Sequence, residues 1–127
     1  MAIHLSHYRW AFLGLFWVAL LLLLAGGLRP EPLPFTHPPW DKWFHFLGFF
    51  SVTLCLSAAA PKRFWWLVVP SLVVLGAFVE FYQLWFLSAR TFSLGDLVAN
   101  SAGVTVGWLS VWWLYRVNMN VLTSEVE

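Results

Sequence analysis

Three carboxylic acids, a histidine, two cations and two amides recur in short clusters along an otherwise apolar chain: Asp41-Lys42-x-x-His45, Glu80-x-x-Gln83, Arg90 and Asp96-x-x-x-Asn100. These residue types support three kinds of chemistry. Lys42 and Arg90 can meet a phosphate or carboxylate through charge-assisted hydrogen bonds, while Asp41, His45, Gln83 and Asn100 complete the polar wall and fix orientation. Glu80 or His45 can act as a general base, with Asp96 orienting the histidine and Arg90 stabilising a developing negative charge. In a variant of that enzymatic reading, His45, Glu80 and Asp96 hold a divalent metal, since all three are acceptable ligand types. No H-E-x-x-H, G-x-S-x-G or comparable compact signature is present, so binding is favoured over catalysis, and neither a metal nor a cofactor is expected.

Such residues act together only if something brings them to one place, and their spacing says that helices do. Asp41, His45, Gly48 and Cys55 follow the i, i+4, i+7, i+14 rhythm of one helix face. Gly76, Glu80 and Gln83 repeat it, and Asp96, Asn100, Gly103, Gly107 and Ser110 form a third stripe. At about 1.5 Å rise per residue, Glu80 lies roughly 10 Å from the end of its span and Asn100 roughly 9 Å from the start of the next. The three stripes therefore meet at one level. Polar side chains also serve as plain bundle glue, at about 0.6 kcal/mol each, and Gly103-x-x-x-Gly107 reads as packing. Packing alone does not call for acids, a histidine and bases at a single depth. Ser93 is placed to cap the last helix, and Asp96 in its first turn to pair with Arg90 and hold the guanidinium over the cluster.

Composition fixes the medium. Of 127 residues, 61% are hydrophobic and 10% charged, against about 25% charged in an average soluble domain. The mean hydropathy is +0.74. The expected fold is all-α: an integral membrane four-helix bundle forming one domain over 1–127, with spans at about 10–28, 43–60, 64–87 and 94–115. The first span reads as an uncleaved signal anchor that faces lipid almost all round. Residues 29–39 hold five of the seven prolines and read as a stiff extended connection. Pro70 is expected to kink the third span, and the polar tail from Arg116 to fray. The unpaired Lys62-Arg63 turn places both termini in the cytoplasm and the polar cluster outside. A net charge of +1 without a basic block excludes a nucleic-acid partner. The single cysteine, Cys55, excludes an intrachain disulfide.

The order D-K-x-x-H, E-x-x-Q, R-x-x-x-x-x-D-x-x-x-N-x-x-G, running from Asp41 to Gly103, resembles the VanZ-like family of small bacterial membrane proteins. The resemblance covers roughly residues 39–107. It implies a multi-pass protein of the bacterial cytoplasmic membrane and a link to low-level resistance to the glycopeptide teicoplanin, and it brings no established reaction. Residues and resemblance together suggest a cell-envelope protein whose extracytoplasmic pocket takes an anionic or amphiphilic ligand. A lipid-linked cell-wall precursor, a phospholipid headgroup and a lipoglycopeptide antibiotic all fit that description. The alternatives are a membrane-embedded enzyme acting on such a lipid, and an accessory subunit of a larger membrane complex that uses the glycine pair of the fourth span as its contact.

Overall fold

A computed structural model describes residues 8–31 and 40–124. Four helices account for nearly all of them: α1 (Arg9–Gly27), α2 (Trp40–Ala59), α3 (Trp65–Phe86) and α4 (Leu94–Ser124), with a 3-10 turn at Lys62–Phe64 joining α2 to α3. Each is long and apolar enough to cross a membrane, because in hydrocarbon a helix satisfies every backbone group within itself. Most of the proline-rich connection, from residue 32 to 39, and the histidines at 4 and 7 lie outside the described residues.

Two boundaries differ from expectation for local reasons. α2 starts at Trp40, ahead of the expected 43, because Asp41 in the first turn suits the positive end of the helix dipole. Asp41 and Lys42 are thereby helical rather than part of a loop. α3 runs through Pro70 without interruption. α4 continues to Ser124 instead of fraying at Arg116; no glycine or proline follows Gly107, and polarity alone does not stop a helix.

α2 is the centre of the bundle, packed most extensively on α4 and then on α1. The α2–α4 seam depends on two glycines. A Cβ at Gly103 would collide with the carbonyl oxygen of Phe46, and one at Gly107 would stand 2.8 Å from that of Phe50. The glycine pair is thus used inside this bundle, to bring two backbones together. Phe49, Val52, Cys55, Val68, Leu72 and Val104 fill the middle, with Phe16 of α1 against them. Phe16 is the one buried side chain of α1. Much of that helix is exposed, but one side of it lies along α2.

The chain reversals sort the charges to two ends. At one end lie Arg9, the Lys62–Phe64 turn and Arg116. Lys62 Nζ sits 3.2 Å from the Tyr115 ring centre, Arg63 stands over Phe64 and Arg116 over Trp112. At the other end meet the C-termini of α1 and α3 and the N-termini of α2 and α4, and all eight residues singled out above are there.

Candidate functional site

α2 contributes Asp41, Lys42 and His45 from its first two turns, and α3 contributes Glu80 and Gln83 from its last two. The loop between α3 and α4 carries Arg90, and the first turns of α4 carry Asp96 and Asn100. The loop is tightly held. Arg90 N–H donates to Leu87 O at 3.0 Å, and Ser93 Oγ accepts from Asp96 N–H at 3.2 Å, the N-cap bond expected from the sequence. Ser93 N–H also points at Glu80 Oε2, at 3.5 Å, so the cap and the acid fix one another.

The interior of the cluster is dry. Glu80 is 0% exposed, Asn100 1%, Gln83 2% and Asp96 8%. His45 Nδ1 lies 3.0 Å from Asn100 Oδ1 and 3.7 Å from Glu80 Oε1. Both neighbours are acceptors, which places a proton on Nδ1. His45 Nε2 lies 3.7 Å from Asp96 Oδ2. Lys42 Nζ bridges Asp96 Oδ1 at 3.3 Å and Asp41 Oδ2 at 3.4 Å, with Asp41 at the rim. Ligand atoms of His45, Glu80 and Asp96 all fall within 4.8 Å of one another.

Gln83 and Arg90 turn away from this network and toward α1. Gln83 Nε2 donates to Gly27 O at 2.7 Å, and Arg90 Nη2 to Gly26 O at 3.1 Å. The expected Arg90–Asp96 ion pair is therefore replaced by Lys42–Asp96. The reason lies in α1: the last carbonyls of a helix have no partner within it and carry the negative end of its dipole, and a guanidinium answers both needs. Burial lowers the Arg90 pKa from its ordinary value, while the carboxylates of Glu80 and Asp96 work against that shift. An arginine so placed stays cationic.

Sequence reasoning missed α1's part in this. Its span has no polar stripe, so nothing marked it as a wall of the site. The available signal was the Ala25-Gly26-Gly27 end, where small residues leave backbone carbonyls open to a neighbour's side chain. Beside these carbonyls runs a cavity of about 370 Å³ between α1 and α2. Leu22, Leu23, Phe44, Leu47, Phe49, Ser51 and Val79 line its length, and Asp41, His45 and Arg90 close its polar end. Three buried atoms around that end, Glu80 Oε1, Asn100 Nδ2 and Arg90 Nε, have no hydrogen-bond partner among the described residues. Native interiors rarely leave such groups unpaired.

A family model described as VanZ/LLP1 matches residues 6–116, nearly the whole chain. Neither a curated protein nor a solved structure matches it.

Proposed function

The chain belongs to the VanZ/LLP1 family, and from that premise we propose that it binds an amphiphile, an acyl or prenyl chain carrying an anionic head, at the polar end of the bundle. The observation that carries the reading is the shape of the α1–α2 cavity: apolar along Leu22, Leu47 and Phe44, then abruptly polar at His45 and Arg90. A hydrocarbon tail lies in such a groove at no cost in polar desolvation. Its head reaches Arg90, whose guanidinium holds Gly26 with one nitrogen and keeps the rest of its planar fork for a phosphate or carboxylate. His45 and Asn100 supply orientation behind it.

Charge supports an outward-facing site. The end opposite the site exposes Lys62 and Arg63 with no acid near them in sequence. At the site end, Lys42 is paired to two acids. Under the positive-inside rule, the unpaired end is cytoplasmic and the site faces outward. Envelope lipids, lipid-linked cell-wall precursors and acylated glycopeptides such as teicoplanin share the required chemistry, and any role in glycopeptide resistance would act through this site.

Native mass spectrometry of the full chain, released gently from its membrane, tests the reading. The wild type should carry one equivalent of a single anionic lipid class, whose mass separates a phospholipid from a cell-wall precursor. Added acylated glycopeptide should displace it if that is the preferred occupant. Ser51→Trp, which fills the groove wall from an exposed position, should lose the lipid. A wild type with no retained lipid, or a Ser51→Trp chain that retains as much, overturns the proposal.

A further inference from the structure

His45, Glu80 and Asp96 each have one polar atom in a hydrogen bond to a neighbour and a second that makes none, with Glu80 Oε1 3.7 Å from His45 Nδ1 and Asp96 Oδ2 3.7 Å from His45 Nε2. Asn100 holds His45 Nδ1, leaving the Nε2 lone pair. Lys42 holds Asp96 Oδ1, leaving Oδ2. Ser93 N–H holds Glu80 Oε2, leaving Oε1 fully buried and without a hydrogen-bond partner among the described residues. With Nδ1 protonated, Nε2 and Asp96 Oδ2 oppose two lone pairs across 3.7 Å, too far for a hydrogen bond and mutually repulsive. A buried carboxylate oxygen with no donor is likewise expensive. One cation shared among the three answers both problems.

We propose that His45, Glu80 and Asp96 form a binding site for a divalent transition-metal ion of the zinc or manganese(II) class, with one nitrogen and two oxygen ligands. At bonds of about 2.1 Å, two ligands of a tetrahedral ion stand about 3.4 Å apart. The ligand atoms here lie within 4.8 Å of one another, so side-chain rotations that draw them together by about 1.4 Å close the site. The outer contacts are those a metal centre requires: an acceptor on the far nitrogen of the histidine fixes its tautomer, and donors on the far carboxylate oxygens fix theirs. Imidazole with carboxylates suits zinc and manganese better than the hard calcium ion or soft copper(I). Two carboxylates neutralise the dication, and three protein ligands leave a coordination position open.

Charge gives the site a further consequence. Asp41, Glu80 and Asp96 outnumber Lys42 and Arg90 by one, so with His45 neutral the cluster is formally anionic. A dication would make it cationic and would add a Lewis acid to the cluster. The metal site stands on its own geometry and does not require the lipid reading.

The test uses the full chain in detergent, purified without a polyhistidine tag, with His4, His7 and His37 each changed to glutamine. Manganese(II) is titrated in and the free ion counted by electron paramagnetic resonance. One ion should bind per chain and be displaced by zinc. Glu80→Gln and His45→Gln should each weaken binding by at least tenfold, and Arg63→Lys, at the opposite end of the bundle, should leave it unchanged. Because a variant can also disturb the bundle, the unsubstituted ligand set has its own readout: the electron spin-echo envelope of bound manganese should show one imidazole nitrogen, which in this background is that of His45. No stoichiometric uptake, unchanged uptake in Glu80→Gln, or an echo without nitrogen modulation overturns the site.

Discussion

The two ends of the bundle use nearly the same residues to opposite ends. Around the Lys62–Phe64 turn, each cation lies on an aromatic ring: Lys62 on Tyr115, Arg63 on Phe64, Arg116 on Trp112. Lys62, Arg63 and Arg116 are exposed there, and exchanging one for another cation would change little. Long cationic side chains over aromatic rings are a membrane-interface anchor, apolar on one side and wet on the other. At the far end Lys42 is committed to Asp41 and Asp96, and Arg90 to the end of α1. Each of those commitments has a specific partner atom, and behind them Asp96, Glu80, Gln83 and Asn100 are buried. The residue types do not distinguish an anchor from a site; the number of fixed, dry partners does.

The comparison can be broken at its common support first. Gly103→Val places a side chain against the Phe46 backbone, which has no room to yield. It should cost about 3 kcal/mol or more and disorganise both ends at once, read as lowered resistance of the bundle to unfolding in detergent. If the stability is unchanged, the α2–α4 seam is not as close as described.

Asn100→Leu acts on one end only. It removes the acceptor that fixes His45 and should cost about 1–3 kcal/mol, with lipid retention reduced while membrane insertion and the aromatic end stay intact. Gln83→Leu is milder. It frees the Gly27 carbonyl at about 1 kcal/mol, and should raise hydrogen exchange in the last turn of α1 without altering α4. Smallest of all is Lys62→Met, which removes the cation over Tyr115. Its cost should stay within about 0.5–1 kcal/mol, with lipid retention unchanged, and a large loss there would erase the distinction between the ends.

Much of this was legible in the sequence because ionisable residues in an apolar chain are few and their helical period is easily seen. The matching depth of Glu80 and Asn100, with His45 and Asp96 nearer the surface, follows from rise per residue alone, and the Ser93 cap from its place before an apolar run. Partner choice was less legible. Asp96 pairs with Lys42 across 54 positions rather than with nearby Arg90, because α4 packs closely on α2 through Gly103 and Gly107, a tertiary fact that spacing does not carry. The part played by α1 was hidden for a different reason. Its contribution is made by backbone carbonyls, which every residue has, so no side-chain pattern announces it. The extension of α4 to Ser124 is not legible from polarity, which does not stop a helix where no helix breaker stands.

Arg90 carries the central claim, that the polar end holds an anionic head through a positioned guanidinium rather than through positive charge alone. The direct measurement is lipid retention by wild type, Arg90→Lys and Arg90→Ala, each purified identically and checked for unchanged helix content, with Arg63→Lys as the control at the other end. Lysine keeps the charge but cannot donate to Gly26 O and to a headgroup in one plane. The account predicts that Arg90→Lys folds and inserts normally, yet retains lipid at least about tenfold less well than wild type, a difference of roughly 1.4 kcal/mol, and close to Arg90→Ala. Arg63→Lys should match wild type. An Arg90→Lys chain that retains its lipid as the wild type does would contradict the account.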